Sequence, residues 1–343
     1  MGGDLSKNIV ISSEMHEYFS KLQEDIDNCY NIAEKARKKG FDPEFNVEIP
    51  QALDLAARVE QLVGPKKIAP KIREFTKRIG DRELVSLEIA KEIVNGKKYK
   101  FNKTEDALDQ AIRTGLAILT EGVLVAPLEG IAEVRLGKNK DGTDYVDLFF
   151  SGPIRSAGGT GQAMSVLIAD VVRREMDIDK YKPTDGEVER YKEEIPLYKR
   201  VQHLQYTPSV DEIDRIVRGC PICVNGEGTE DEEVTGYRDL PRVGTNRLRG
   251  GACLVIAEGL CLKAPKILKH VKKLKLKGWD FLDIFVNKDK TDEKKNNGIP
   301  EILPSTKYIG EVIAGRPVFS HPSRKGSFRL RYGRARTAGL AST

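Results

Sequence analysis

A glycine-rich segment, SGPIRSAGGTGQA at residues 151–163, has the composition of a loop that binds phosphate. It follows a predicted apolar strand and precedes a predicted apolar helix, and backbone N–H groups at such a helix start bind anions. Gly158, Gly159 and Gly161 would let a phosphate approach the backbone closely, and Arg155 adds a planar cationic group. The alternative is a glycine turn that packs the helix close to the sheet.

The spacing of these glycines excludes the two common nucleotide-binding loops. A Walker A loop requires Lys and then Ser or Thr after its last glycine, whereas Gln162 and Ala163 follow here. A dinucleotide-binding turn requires G-x-G-x-x-G, which the segment also lacks. The G-x-x-G spacing from Gly158 to Gly161 is instead the one with which KH modules clamp a nucleic-acid backbone.

A second candidate for phosphate binding is the segment YRDLPRVGTNRLRGG at residues 237–251. Its arginines are Arg238, Arg242, Arg247 and Arg249. Arginine is preferred over lysine where a planar donor must grip phosphate oxygens. Ion pairs with the acidic run at 227–234 explain the same pattern equally well, so both interpretations stay open at this point.

Lysines and a basic tail extend the candidate phosphate-binding set. The predicted helix KAPKILKHVKKLKLKG places Lys266, Lys269 and Lys273 near helical spacing on one cationic face. Residues 321–343 contain six basic side chains and no acidic one. These are Arg324, Lys325, Arg329, Arg331, Arg334 and Arg336. Without them the 57 basic residues fall to 51 against 52 acidic ones, so the net charge of +5 is a local feature of the kind that phosphate backbones require.

Cysteine and histidine spacing predicts neither a metal site nor a catalytic centre. Cys220 and Cys223 form half of a zinc motif, but no suitable second pair completes it, so we expect no bound zinc. The four histidines have no triad or metal-helix spacing, and no aspartate cluster for two-metal chemistry is assignable. The odd number of cysteines favours reduced thiols in a cytoplasmic protein. No apolar run is long enough to span a membrane.

The elements predicted to position these residues are mainly helical. Residues 14–39 form a helix with a serine N-cap and apolar residues spaced alternately four and three apart. Four amphipathic units between residues 51 and 120 predict a helical bundle. From residue 121 the apolar period changes, and a turn at 139–142 predicts a small antiparallel sheet that packs on further helices. The expected fold class is mainly α, with some β structure.

This pattern divides the chain into four predicted parts. Residues 1–50 form an N-terminal assembly helix and linker, and the helix packs either on its own core or on a partner chain. Residues 51–120 form the helical bundle. Residues 121–287 form an α+β domain that contains the glycine-rich loop and the basic segments. Residues 288–343 form a charged linker and the basic start of a further region.

Three long blocks give the chain a family resemblance. They are SGPIRSAGGTGQAMSVLIADVVRREM, GCPICVNGEGTEDEEVTGYRDLPRVGTNRLRGGACLVIAEG and RPVFSHPSRKGSFRLRYGRARTAGLA. In this order they resemble the N-terminal part of the large subunit of the archaeal family-D DNA polymerase (DNA polymerase II). The similarity covers most of the chain and is weakest before residue 50.

The resemblance implies a two-subunit replicative polymerase whose small subunit resembles a calcineurin-like phosphodiesterase and has 3′–5′ exonuclease activity. The family's polymerase site lies on double-psi β-barrels, and its catalytic aspartates, Mg²⁺ and zinc modules lie beyond residue 343. The resemblance therefore implies that this chain is an N-terminal fragment that runs into the start of the barrel core. It implies no catalytic residue and no cofactor in the fragment, which should not polymerise DNA alone.

Two hypotheses about function follow. The first is DNA binding and assembly, with primer–template DNA, the small exonuclease subunit and a second large subunit as partners. The second is a purely structural assembly module with little DNA contact. The effect of salt on DNA affinity distinguishes the two hypotheses, because phosphate binding weakens steeply as the salt concentration is raised. A free-standing enzyme that binds a small anion at the glycine loop is disfavoured, because no base or metal set is assignable.

Overall fold

The computed structural model describes residues 12–41, 52–95, 98–121 and 124–285. Within these residues the chain forms ten α-helices and one three-stranded sheet. The prediction of a mainly α fold with some β structure is confirmed. No helix in the described part of the chain is both long enough and apolar enough to cross a membrane. The predicted region 288–343 lies outside the described residues.

Helix α1 spans Ser13–Lys38 and forms where the sequence predicts it. Its N-cap is Ser12, whose side-chain oxygen accepts the N–H of Met15 at 3.2 Å. Met15, Phe19 and Leu22 from its predicted apolar row are exposed, and none of its side chains is buried. Within the described residues this row is therefore not part of the hydrophobic core.

Four helices follow between residues 55 and 119, in agreement with the predicted bundle. They are α2 (Leu55–Leu62), α3 (Ala69–Ile79), α4 (Arg82–Asn95) and α5 (Thr104–Leu119). Asp81 starts α4, because its Oδ1 accepts the N–H groups of Glu83 at 3.1 Å and Leu84 at 3.3 Å. Gly80, with φ of 70°, ends α3 in the left-handed conformation that glycine adopts without strain.

The sheet begins with the predicted hairpin, in which β1 (Ile131–Lys138) pairs antiparallel with β2 (Asp144–Phe150). The turn also lies where predicted, and Gly142 donates its N–H to the Asn139 carbonyl oxygen at 2.9 Å. A third strand, β3 (Cys223–Gly226), pairs with β2 in parallel. The predicted antiparallel pair is therefore present, and the sheet also has a parallel strand that the sequence did not predict. A strand of four residues directly after the C-P-I segment is too short to give a period in the sequence.

Helix α6 (Gly158–Glu175) is the centre of the fold. It contacts α4, α5 and a π-helical segment at Val255–Cys261, and its residues 161–173 are all buried. The remaining helices are α7 (Asp185–Val201), α8 (Val210–Gly219), α9 (Gly250–Leu254) and α10 (Ala264–Lys273). A helix buried on all sides must be covered on all sides, and α4, α5, α10, β2 and the π-helical segment supply the cover.

One hydrophobic cluster runs through the described residues from α2 to Phe285. It includes Leu108 and Ile112 of α5, Leu167 of α6 and Leu260 of the π-helical segment. The predicted boundary near residue 120 therefore falls inside a continuous core. The division of the chain into four parts stays a prediction.

Asp170 on α6 is a buried charge that ties together distant parts of this core. Its Oδ1 accepts hydrogen bonds from Arg173, with Nη2 at 2.6 Å. Its Oδ2 accepts Arg174 Nε and Trp279 Nε1, both at 2.9 Å. Because Asp170 is fully buried and Arg173 nearly so, removal of the carboxylate would leave an uncompensated cation in the core.

We therefore expect Asp170→Ala to lower the free energy of unfolding by about 3 kcal/mol. Urea denaturation, followed by circular dichroism and by the fluorescence of the single tryptophan, Trp279, measures this change. The control is Asp211→Ala at an exposed position of α8, which should cost less than about 1 kcal/mol. Equal unfolding free energies for the two variants would contradict a structural role for Asp170.

Candidate nucleic-acid interface

The glycine-rich loop connects β2 to α6 through a 3₁₀ turn at Gly152–Ala157, as the strand–loop–helix prediction requires. Gly158 begins the helix with φ of 65°, a conformation that favours glycine. Gly159 packs against the π-helical segment, since a Cβ there would lie 2.4 Å from the Glu258 carbonyl oxygen. At Gly161 an added Cβ would lie 2.9 Å from the Cβ of Ala157. Close packing therefore accounts for Gly159, although against the π-helical segment and not against the sheet of the alternative, and the close contact at Gly161 is with the preceding turn.

Arg155 is exposed beside the start of α6. Both of its terminal nitrogens donate to the His203 carbonyl oxygen at 3.3 Å, and Nη2 also lies 3.4 Å from the Tyr198 hydroxyl. No acidic side chain pairs with Arg155 among the described residues. The helix start has no side-chain cap, and the Gly158 N–H donates to the Arg155 carbonyl oxygen of the preceding 3₁₀ turn.

Arg238 and Arg247 pair with the acidic run that precedes them in the sequence. Arg238 Nη2 lies 2.9 Å from Glu233 Oε2, and Arg247 Nη2 lies 2.8 Å from Asp231 Oδ1. Both guanidinium groups remain partly exposed. Exposed ion pairs of this kind contribute only about 0–1 kcal/mol, so a phosphate can compete for the arginines. Their assignment as DNA contacts stays a prediction.

Arg242 and Arg249 point inward and pair with acids of α7. Arg242 Nε donates to Glu187 Oε1 at 2.7 Å, and Arg249 Nη2 donates to Glu194 Oε2 at 2.6 Å. The Arg249 side chain is 1% exposed, so a DNA phosphate cannot reach it in this structure. Burial alone would lower the pKa of Arg249, but the Glu194 carboxylate outweighs burial and raises it. We correct the assignment of Arg249, and of the largely buried Arg242, as DNA contacts.

The acidic partners on α7 were missed in the sequence. Glu187, Arg190 and Glu194 are spaced three and four apart, which places them on one helix face, and this spacing was the available signal. Arg190 Nε lies 3.0 Å from Glu194 Oε1, and both side chains are fully buried. Arg190 also donates from Nη2 to the Thr245 carbonyl oxygen at 2.9 Å. This face of α7 therefore holds the arginine-rich segment in place.

Buried groups on β2 and β3 titrate outside their usual ranges. Burial raises the pKa of Asp147 to about 6, although hydrogen bonds from Cys223 and Asn225 oppose this shift. Burial raises the pKa of Cys220 to about 12, and burial together with Asp147 raises that of Cys223. The expectation that this cysteine pair binds no zinc stays a prediction. Among the residues that the structure describes, no three His, Cys, Asp or Glu side chains group as metal ligands would.

The three lysines of the predicted face on α10 differ in whether they form ion pairs. Lys266 Nζ lies 2.6 Å from Glu83 Oε1 and Lys273 Nζ lies 2.9 Å from Asp81 Oδ2, so both tie α10 to the start of α4. Lys269 is exposed and forms no ion pair with the described residues. The six basic residues of the tail at 321–343 lie outside the described residues.

Comparison with known proteins places this arrangement in one family. The family model described as "DNA polymerase II large subunit DP2, N-terminal" matches residues 17–288, and the model of the central domain matches residues 291–343. The first match alone covers most of the chain. This chain therefore belongs to the family of DNA polymerase II large subunits, and the resemblance noted in its sequence is confirmed.

Curated relatives of this family match nearly the whole of this chain. The DNA polymerase II large subunit of Methanosarcina barkeri is 55% identical over 338 residues, which are 97% of this chain and 29% of that protein. That of Methanococcoides burtonii is 53% identical over 339 residues, 97% of this chain and 30% of that protein. That of Thermoplasma volcanium is 53% identical over 329 residues, 96% of this chain and 29% of that protein. The chain spans about three tenths of the length of these relatives.

The packing at the glycine loop leads to a prediction that distinguishes a role of Gly159 in stability from a role in DNA binding. Gly159→Ala should lower the free energy of unfolding by about 2 kcal/mol, because the added methyl group meets a backbone oxygen that cannot move away. Chemical denaturation measures the change. The control is Gly152→Ala, where an added Cβ meets no atom within 4 Å.

The opposite outcome has a clear meaning. A Gly159→Ala protein that keeps its stability but loses DNA affinity would show that this glycine serves phosphate approach and not helix packing.

Proposed function

We propose that this chain is the N-terminal DNA-binding and assembly part of the large subunit of a two-subunit DNA polymerase. Its family membership supports a role in DNA synthesis. In this proposal the residues that catalyse nucleotidyl transfer, with their Mg²⁺ and zinc, belong to the remaining part of the subunit. The 3′–5′ exonuclease activity belongs to the small subunit, and the chain alone does not polymerise DNA.

The observation that carries DNA binding is Arg155 at the uncapped start of α6. Its guanidinium is exposed and bonded only to neutral oxygens, those of His203 and Tyr198, among the described residues. The first turn of α6 adds the positive end of the helix dipole. A phosphate of the DNA backbone would gain from both without the loss of an existing ion pair.

The exposed cations that pair with acids form a second, weaker group of contacts. Arg238, Arg247, Lys266 and Lys273 can exchange an exposed carboxylate for a phosphate at small cost. Lys269 forms no ion pair with the described residues, so it can bind a phosphate without giving up a carboxylate partner. The tail at 321–343 adds six positive charges without an acid. Contacts of this type position a duplex and read no sequence.

Helix α1 supports the assembly role. It exposes Met15, Phe19 and Leu22 at 43–50% of their surface, on a spacing typical of helices that pack on another helix. The partners in this proposal are the small subunit and a second copy of the large subunit. Exposed apolar rows of this size are common at sites of protein association.

A purely structural assembly module is the second candidate function. The ion pairs of all four arginines in the 238–249 segment favour it, because each guanidinium already has an acidic partner. The two candidates differ in what salt does to DNA affinity, because counterion release accompanies every phosphate contact.

We expect the chain to bind random-sequence duplex DNA with an affinity that falls steeply between about 50 and 200 mM salt. Arg155→Ala should reduce the slope of log K against log salt by about 0.9, the value for one phosphate contact, and truncation after residue 320 should reduce it further. Fluorescence anisotropy on labelled duplexes measures both. Lys140→Ala, at an exposed position on the β1–β2 turn, serves as the control.

Salt-independent or undetectable DNA binding by the parent chain would contradict the proposal. The purely structural assembly function would then replace it.

A further inference from the structure

Two segments that the candidate set does not include form a separate cationic surface. The turn between α2 and α3 carries Lys66 and Lys67, and the connection from α4 to α5 carries Lys98 and Lys100. All four side chains are exposed. None of them forms an ion pair with any other described residue, in contrast to Lys266 and Lys273 on α10. We call Lys66, Lys67, Lys98 and Lys100 the four-lysine surface.

Direct contacts hold the two segments together. Lys98 Nζ donates to the Lys67 carbonyl oxygen at 3.1 Å, and the Tyr99 hydroxyl lies 3.4 Å from the same oxygen. Lys98 Nζ also lies 5.6 Å from the centroid of the Tyr99 ring. These contacts fix lysines that are far apart in the sequence on one side of the molecule.

The backbone at Lys67 is in an unusual conformation. Its φ is 72°, in the left-handed region that favours glycine, although the residue carries a long side chain. Such conformations persist only where surrounding contacts impose them, and they cluster at functional sites. Here Lys66 and Lys67 are the central residues of a turn closed by the Ile68 N–H and the Pro65 carbonyl oxygen at 3.2 Å, and the bonds from Lys98 and Tyr99 to the Lys67 carbonyl oxygen hold this turn against the α4–α5 connection.

Nearby carboxylates do not neutralise this surface. Glu60 Oε2 accepts the N–H of Ala69 at 2.7 Å, and Glu92 Oε1 lies 3.9 Å from Lys71 Nζ. Burial, and then the charges of Glu92 and Glu60, raise the pKa of Tyr99, so its phenol stays protonated and able to donate. Neither acid forms an ion pair with Lys66, Lys67, Lys98 or Lys100 among the described residues.

The orientation of the aromatic residues decides which part of a nucleic acid fits. Tyr99 and Phe101 alternate with Lys98 and Lys100, but both rings are half-buried against the hydrophobic core. Rings placed in this way are not available to stack on bases, which is the usual mode of single-strand binding. Lysine ammonium groups are point charges that bind phosphate oxygens without a fixed geometry.

We propose that the four-lysine surface binds phosphates of the DNA backbone without reading sequence, as a contact site additional to Arg155 and the residues near it. The proposal rests on the DNA-binding function proposed above. It adds to the proposed DNA contacts a surface of the bundle at residues 51–120, which the sequence analysis did not include in the candidate set. Duplex DNA, with one charge per about 1.7 Å of its axis, is the polyanion that this surface would meet.

The test compares two double variants of the 343-residue chain. Lys66→Gln with Lys100→Gln removes two charges from the surface and leaves the Lys98–Lys67 contact intact. Lys140→Gln with Lys180→Gln removes two exposed lysines that also lack ion pairs among the described residues, so the net charge of the two proteins is equal. Thermal unfolding by circular dichroism confirms that both variants fold as the parent does.

The measurement is affinity for a labelled random duplex as a function of salt. The surface variant should lose about 1.8 from the salt slope, since each phosphate contact contributes about 0.9, and its affinity near 0.1 M salt should fall by about tenfold or more. The control variant should keep the parent slope and an affinity within about twofold of the parent.

Each alternative result overturns the proposal in a distinguishable way. If the surface and control variants keep equal slopes while the parent binds DNA, the four-lysine surface is not a DNA contact and the proposed function survives. If the parent itself shows no salt-dependent binding, both proposals fail. If binding to polyglutamate is lost in the surface variant while DNA binding is kept, the surface serves an acidic protein segment instead.

Discussion

The buried carboxylate of Glu194 is the charge on which the arrangement of this domain depends. Arg190 and Arg249 both lie against it, and all three side chains are almost completely removed from solvent. A buried guanidinium without a counter-charge would cost several kcal/mol, so Glu194 fixes α7 relative to the start of α9. Through carbonyl oxygens of Tyr237, Thr245 and Arg247, Arg190 extends this constraint to the whole arginine-rich segment.

Whether a cation of this chain is buried or exposed depends on its chemical type. Guanidinium groups are planar, weakly hydrated and able to make several directed bonds, which suits burial, and Arg173, Arg190 and Arg249 are buried. Ammonium groups are strongly hydrated point charges, and the unpaired lysines of the four-lysine surface lie outside. In the proposed function, a phosphate backbone would meet these exposed lysines together with the exposed Arg155 and the partly exposed Arg238 and Arg247.

The sequence predicts this architecture further than it predicts the site. Apolar periodicity located α2 to α5, and apolar runs on either side of a turn signal located the β1–β2 hairpin, although β2 is buried on both faces. It missed β3, whose pairing with β2 depends on a parallel neighbour that is distant in the chain. The arginines of 238–249 could not be assigned, since the same residue type binds phosphates and buried carboxylates. The Lys98–Lys67 contact spans 31 residues and has no local signature.

Chemical footprinting of lysines on the intact chain tests most directly whether the exposed lysines bind DNA. The chain is acylated with and without random duplex DNA at low salt, and the modified sites are read by mass spectrometry. The account predicts that DNA protects Lys66, Lys67, Lys98 and Lys100, while Lys140 and Lys180 react equally in both conditions. Unchanged acylation of the four-lysine surface, with the DNA shown to be bound, would contradict it.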